Sequence, residues 1–142
     1  MSMIDWTTPF ARKVIRHLRS ERIVWLTTVG ADGVPHTRPV WYVWDGASLL
    51  IYSRPNMQKI RDIATHPSVS LNFNTDPVGD VDVIILTGTA TLDPSTPPVH
   101  KIPSYLRRYR GEMRDSLKMT PRQYSDSFSI AIHITPSAIR GW

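Results

Sequence analysis

The chain has 142 residues, of which 41% are hydrophobic and 20% charged, and its 17 Lys and Arg against 12 Asp and Glu give a formal net charge of +5. This composition is typical of a folded globular protein and excludes a disordered chain, and the length predicts a single domain over residues 1–142. The sequence contains no cysteine, which excludes disulfides, thiolate metal sites and cysteine nucleophiles.

Hydropathy and charge also restrict where the protein acts and what it binds. No apolar run approaches the roughly 20 residues that a bilayer requires, and residues 1–6 lack the basic-then-apolar layout of a signal peptide. We therefore expect a cytoplasmic protein with no membrane partner. Taken alone, the basic excess predicts an anionic partner, which is a nucleic acid, a membrane surface, or a phosphorylated or polycarboxylate ligand. The alternative is a basic protein with no charged partner.

The first predicted element is an amphipathic helix over residues 8–20. Thr8 followed by Pro9 is typical of an N-cap and a first helical position. Apolar residues then recur every four positions on one side of the helix, namely Phe10, Val14 and Leu18.

Five runs rich in β-branched and aromatic residues predict strands in the middle of the chain. These runs cover residues 23–29, 36–44, 48–53, 69–74 and 81–92. Turn signals at residues 30–33 and 45–46 join the first three strands as hairpins. A helix is predicted from Asn56 to His66, and its packed face carries Met57, Ile60 and Ala64.

The last third of the chain predicts one helix and two short strands. The helix follows from an apolar stripe at Ile102, Leu106, Tyr109, Met113 and Leu117. The strands cover residues 129–134 and 138–142, joined around Pro136. Sequential hairpins with few crossover helices predict a mainly β protein with flanking helices, in which about six antiparallel strands close into a barrel. A β-sandwich is the alternative.

The segment from Ser53 to Lys59 has the chemistry of an anion site. A predicted strand ends at Arg54-Pro55 and a predicted helix begins at Asn56. A hydroxyl, a guanidinium, the positive end of a helix and an ammonium therefore lie close together in the chain. This pattern predicts a cradle for a phosphate or a carboxylate, and the alternative is a surface turn with solvated charges.

Other chemistries lack the motifs that carry them. The patterns G-x-x-x-x-G-K-[ST], G-x-G-x-x-G and G-x-S-x-G are absent, so P-loop, dinucleotide-binding and hydrolase sites are not predicted. We expect no metal site, because no two histidines stand at metal-ligand spacing. The histidines are His17, His36, His66, His100 and His133.

An ordered set of short segments carries a family resemblance. The segments are residues 24–30 (VWLTTVG), 32–35 (DGVP), 38–46 (RPVWYVWDG), 50–53 (LIYS), 59–61 (KIR), 66–71 (HPSVSL) and 88–90 (GTA), with a weaker counterpart in residues 132–142. In this order and spacing they resemble the pyridoxamine 5'-phosphate oxidase-like split β-barrel superfamily of flavin and deazaflavin oxidoreductases. The best match is the branch that uses the deazaflavin coenzyme F420.

The resemblance implies a homodimer with the cofactor in a groove at the subunit interface. It places the strand around Arg38 beside the cofactor ring, with the arginine on the phosphate and Lys59 completing the phosphate site. The oxidases carry an arginine where this chain has Gln58, and Arg54 is expected to substitute for it. Trp142 is expected to cap the groove or the dimer interface. The cofactor-binding residues expected are Thr37, Arg38, Pro39, Val40, Trp41, Ser53, Arg54, Gln58, Lys59 and Trp142.

The expected function is that of an F420H2-dependent reductase, which transfers hydride between bound deazaflavin and a small unsaturated organic substrate. The alternatives are an FMN-dependent oxidoreductase and a non-enzymatic barrel that binds a cofactor or nucleic acid. No catalytic side chain is assigned, and the candidate proton donors are Tyr42 and His36.

A basic segment from Lys101 to Lys118 is expected either to line a path for the anionic tail of F420 or to be a solvated helix face. Tyr105 and Tyr109 within it would also permit a nucleic-acid surface, on which bases stack. We expect no nucleic-acid partner, because the positive charges lie on helices and a turn instead of alternating with aromatic residues on strands.

Overall fold

The computed structural model describes residues 4–142. The expectation about a signal peptide concerned residues 1–6, and the first three of these lie outside the described residues. Within the described part there are four α-helices and seven β-strands. Helices α1 to α4 span Pro9–Ser20, Gln58–Thr65, Pro103–Asp115 and Pro121–Ser127. Strands β1 to β7 span Val24–Val29, Pro35–Val40, Val43–Trp44, Leu49–Ser53, Ser68–Asn72, Ile84–Leu92 and Ile130–Gly141. None of these helices is long and apolar enough to cross a membrane.

The strands form one antiparallel sheet in the order β2-β1-β5-β6-β7-β4-β3. Its two edge strands, β2 and β3, are consecutive in the chain and are separated by Trp41 and Tyr42 alone. Because the three steps from Val40 to Val43 span at most about 11 Å, the sheet must curl until its edges approach each other. The prediction of a mainly antiparallel split barrel with flanking helices is therefore confirmed, with seven strands in place of about six.

One predicted strand, over residues 36–44, is divided into two strands at Tyr42. This side chain is fully buried, and its hydroxyl lies 2.8 Å from the carbonyl oxygens of both Leu18 and Glu21 at the end of α1. Its backbone N–H donates to the Tyr109 hydroxyl at 3.0 Å. Contacts to two distant helices thus break a run that looks continuous in sequence.

The opposite difference occurs at the carboxyl end, where one long strand replaces the two that were predicted. Strand β7 continues through Pro136 and pairs with β6 on both sides of a register shift at Thr87 and Gly88. A Cβ atom at Gly88 would lie 2.6 Å from the carbonyl oxygen of Thr135. The glycine therefore permits the close approach that lets β7 pass the irregularity.

Two hydrophobic cores lie on opposite faces of the curled sheet. Leu49 and Ile51 of β4 belong to the core inside the barrel, whereas Tyr52 belongs to a second core beneath α3 and α4. Because β4 is covered on both faces, its sequence is a continuous apolar run without alternation. On α3 the second core takes Tyr105, Tyr109 and Met113.

The sequence predicted the start of one helix correctly and missed another helix entirely. Helix α1 begins as predicted, with the Thr8 hydroxyl accepting from the N–H of Ala11 at 3.1 Å. Helix α4 was not predicted, although Thr120 and Gln123 form a capping box at its start. Prolines at the first turn of α3 and α4 begin these helices, because proline is well suited to that position.

Helix α2 differs from its prediction in both its start and its packed face. It begins at Gln58 and not at Asn56, because Asn56 has a left-handed backbone with φ of 62°. Its fully buried residues are Asp62 and Ile63, whereas Met57 is 42% exposed and Ala64 is also exposed. A carboxylate therefore faces the barrel from this helix.

Candidate functional site

Arg38 and Lys59 form a pair of neighbouring cations where β2 meets α2. Arg38 lies opposite Leu26 in the β1–β2 pairing, on the inner face of the sheet, and its Nη1 donates to the Thr28 hydroxyl at 2.8 Å. Lys59 is half-buried and makes no hydrogen bond or ion pair with any residue in 4–142. The structure thus brings together the two cations that the sequence assigned to a phosphate.

The electrostatics of this pair favour an anionic ligand. Burial lowers the pKa of Lys59, and the nearby charge of Arg38 lowers it further. Burial also lowers the pKa of Arg38, and Asp62 opposes this effect in part. Two partly desolvated cations that repel each other are stabilised when an anion binds between them.

A buried carboxylate organises the surroundings of the cation pair. The Asp62 side chain is 1% exposed, and its oxygens accept from the Thr28 hydroxyl and the Gln58 amide at 2.7 Å each and lie 2.9 Å from His36 Nδ1. Burial opposes ionisation, but these hydrogen bonds outweigh it and lower the pKa of Asp62 to about 2. The network holds Thr28, and through it Arg38, in place.

Asp62 was not singled out in the sequence, although two signals were present. Thr28 and His36 are polar residues whose strand positions face the interior, so each required a polar partner there. Gln58 is one of the groups that bind this carboxylate, and its oxygen also accepts from Arg61 at 2.9 Å. The side chain at the position where the oxidases carry an arginine is therefore already engaged within the helix.

Three of the expected cofactor residues lie away from the cation pair. Arg54 is exposed, with its guanidinium 4.9 Å from the centre of the Phe128 ring. Trp41 stacks on Tyr109 at 4.6 Å in the second core. Trp142 is 63% exposed, and its backbone exchanges two hydrogen bonds with Val83.

The remaining expected residues divide between the two faces of β2 and the end of β4. Thr37 and Pro39 are exposed on the outer face, where the Thr37 hydroxyl lies 2.7 Å from that of Thr27. Val40 is half-buried and packs against the inner core. Ser53 is 1% exposed, and its hydroxyl donates to the carbonyl of Arg54 at 2.9 Å.

The two candidate proton donors differ in accessibility. Tyr42 is buried, and desolvation raises the pKa of its hydroxyl, so its role is structural. The His36 side chain is 33% exposed, and its Nδ1 contacts Asp62. Of the two, His36 alone reaches solvent.

The basic segment offers no aromatic surface to a nucleic acid. Tyr105 and Tyr109 are both fully buried in the second core, so their rings are not available for stacking on bases. Residues 4–142 also contain no group of three His, Cys, Asp or Glu side chains that could hold a metal ion.

Comparisons with known proteins agree with this architecture. A family model described as Pyridoxamine 5'-phosphate oxidase matches residues 10–142. A conserved hypothetical protein from Mycobacterium tuberculosis is 25% identical over 92% of this chain and 82% of its own, with a TM-score of 0.72.

Two further solved structures share the fold at lower identity. An F420 reductase is 24% identical over 88% of this chain and 94% of its own, with a TM-score of 0.66. A heme storage protein from Vibrio cholerae is 18% identical over 89% of this chain and 91% of its own, with a TM-score of 0.65. No curated protein sequence matches the chain.

Proposed function

Because the chain belongs to the pyridoxamine 5'-phosphate oxidase family, whose model matches residues 10–142, we propose that it is an oxidoreductase that uses a phosphorylated flavin or deazaflavin. Within that class we propose an F420H2-dependent reductase acting on a small unsaturated organic substrate. The observation that carries the proposal is the Arg38–Lys59 pair, since Lys59 has no ion-pair partner in residues 4–142.

The lack of a charge at position 58 supports F420 over FMN. The phosphate monoester of FMN carries nearly two negative charges at pH 7, as phosphoserine does, whereas the phosphodiester of F420 carries one. Gln58 adds no charge and is bound to Asp62, and Arg54 lies over Phe128. The phosphate site therefore lacks the third cation that the oxidases carry at position 58, which suits a singly charged phosphodiester better than a monoester, and the net charge of +5 suits the acidic tail of F420.

The protein's own residues would bind and orient the cofactor. Arg38 offers a planar guanidinium fixed by Thr28, which suits two-point binding of a phosphate, and Lys59 adds a point charge. Val40, on the inner face of β2, offers an apolar contact that excludes water. Bound F420H2 would supply the hydride, and the chain would supply position and electrostatics.

We also propose that the protein acts as a cytoplasmic homodimer with the cofactor at the subunit interface. Strand β2 is an edge of the sheet and carries Thr37 and Pro39 on an exposed outer face. An edge strand of this kind is a place where a second chain packs or pairs. Light scattering in solution measures the oligomeric state directly, and a monomer that binds the cofactor would contradict the dimer.

The function is tested by titrating cofactor-free protein with F420, FMN and heme while following fluorescence or absorbance. The variants are Lys59→Ala and, as a matched control, Lys13→Ala. Lys13 is a lysine of α1 that pairs with Asp82 at 3.3 Å. We expect F420 to bind, Lys59→Ala to weaken it about tenfold or more, and Lys13→Ala to leave it unchanged.

The other outcomes select the alternatives. FMN binding without F420 binding indicates an FMN-dependent oxidoreductase, which the same cation pair would serve. Binding of heme alone indicates a non-enzymatic carrier on the same fold. If none of the three binds, the proposed function is wrong.

A further inference from the structure

We propose that the outer face of α3 is a second anion site, which binds a small linear molecule with three or more phosphate or carboxylate groups. It shares no residue with the Arg38–Lys59 pair, so it stands independently of the proposed cofactor. Two adjoining clefts of about 580 Å³ and 450 Å³ form it, and Arg110 and Arg114 line both. Among the described residues, no aspartate or glutamate lines either cleft.

The cations of these clefts are not neutralised within the protein. Lys101 and Arg107 line the larger cleft and Lys118 the smaller, and these three side chains and Arg110 make no hydrogen bond or ion pair in residues 4–142. Arg107, Arg110 and Arg114 stand three and four residues apart, and like charges at this spacing destabilise a helix. Of these three arginines, only Arg114 has an acidic partner within residues 4–142, which is Asp115.

The acidic residues of α3 do not supply the missing partners. Glu112 binds Arg22, which lies between α1 and β1, at 2.8 Å. Asp115 binds its neighbour Arg114 at 2.8 Å, but both side chains are about 70% exposed, where such a pair is weak. The positive face of the helix therefore stays largely uncompensated.

Gly111 is a second, independent feature of the larger cleft. It lies inside α3, where glycine is less favourable than alanine. A Cβ atom added there meets no other heavy atom within 4 Å, so packing within the chain does not require a glycine. The missing side chain instead leaves the cleft open beside Arg107 and Arg114, which are its neighbours on the helix surface.

The geometry indicates the class of ligand. Guanidinium groups bind phosphates and carboxylates through two parallel hydrogen bonds, and helix neighbours stand about 5–6 Å apart. From Arg107 to Arg114 the row extends about 10 Å along the axis, so it suits several anionic groups in line. Single-stranded nucleic acid is disfavoured, because Tyr105 and Tyr109 are buried and neither cleft is lined by Phe, Tyr or Trp.

The site is tested by calorimetric titration of the full chain with tripolyphosphate and with a triglutamate peptide, at low and at physiological salt. Arg107→Gln/Arg110→Gln should weaken binding of the preferred probe about tenfold or more. Arg12→Gln/Arg16→Gln removes the same charge from exposed positions of α1 and should change affinity less than about twofold. Gly111→Gln fills the cleft without changing the net charge, and it should weaken binding while the protein stays folded, as circular dichroism reports.

Each result decides the proposal. Binding of either probe with this pattern of variants supports it, and the tighter probe identifies phosphate or carboxylate as the ligand group. Equal losses in the two double variants indicate non-specific attraction and overturn it. Absence of binding by the wild-type protein, or tighter binding of a single-stranded oligonucleotide, also overturns it.

Discussion

Replacing Asp62 with alanine tests the buried network that supports the cation pair. The carboxylate accepts hydrogen bonds from the Thr28 hydroxyl and the Gln58 amide and contacts the His36 ring. A hydrogen bond to a charged group contributes about 1.5–3 kcal/mol. Once the acceptor is lost, the side chains of Gln58 and His36 can form hydrogen bonds with water. The Thr28 hydroxyl cannot, because Thr28 is fully buried. We therefore expect Asp62→Ala to lower the free energy of unfolding by about 3 kcal/mol.

The assay is equilibrium unfolding in urea at pH 7, with Asp62→Asn as the matched control. The asparagine keeps the size of the side chain and one accepting oxygen but loses the charge, so we expect about half the loss seen with alanine. If Asp62→Ala costs less than about 1 kcal/mol, or if Asp62→Asn is as stable as the wild type, the network does not stabilise the fold.

The pH dependence of stability is a second test of the same network. The pKa of Asp62 is about 2 in the folded protein, against 3.8 for the free side chain. Because the folded value is the lower one, the stabilisation is present above pH 3.8 and is lost as the pH falls toward 2. The difference in the free energy of unfolding between wild type and Asp62→Asn should narrow by about 1 kcal/mol from pH 6 to pH 3.

The pH series needs one control, because the ionisable ring of His36 contacts the carboxylate. Both proteins are therefore compared again in a His36→Gln background, in which the imidazole cannot contribute. If the difference in the free energy of unfolding between Asp62 and Asp62→Asn stays constant with pH in this background, the assigned pKa of the carboxylate is refuted.

Three further substitutions test the fold by the same denaturation assay. Tyr42→Phe removes a hydroxyl that lies 2.8 Å from two main-chain carbonyls and should cost about 1–2 kcal/mol without changing cofactor affinity; a weaker affinity would contradict its structural role. Gly88→Ala places a methyl group 2.6 Å from the Thr135 carbonyl oxygen and should cost about 2 kcal/mol, and full stability would mean that β6 and β7 do not approach so closely. Thr120→Ala removes the α4 cap and should cost about 1 kcal/mol, whereas Thr120→Ser should retain most of the stability.

Local signals predicted most of the elements because they depend on near neighbours. Thr8 with Pro9 starts α1, and Asp45-Gly46 turns the chain between β3 and β4. The β-branched and aromatic run over residues 23–29 predicted β1, whose residues alternate between buried and half-buried in the structure. Such patterns report which side of an element is packed, but not which element packs against it.

The errors arose where tertiary contacts overrode a local pattern. The strand over residues 36–44 divides because Tyr42 is bound by α1 and α3. Strand β7 continues past Pro136 because Gly88 on β6 leaves room for it. Helix α2 buries Asp62, which lies outside the predicted face of Met57, Ile60 and Ala64, because Thr28 and His36 of the barrel contact its carboxylate.

The sequence by itself determined the split-barrel family, and it singled out Arg38 and Lys59 as the cations of the proposed site, because both lie in segments with family spacing. Only the tertiary structure decided that these cations are neighbours and that Asp62 holds their surroundings in place. The physical reason is that Thr28 and Asp62 are 34 residues apart and meet through sheet register and helix docking. The hydrophobic periodicity of a single segment specifies neither the register of a sheet nor the docking of a helix.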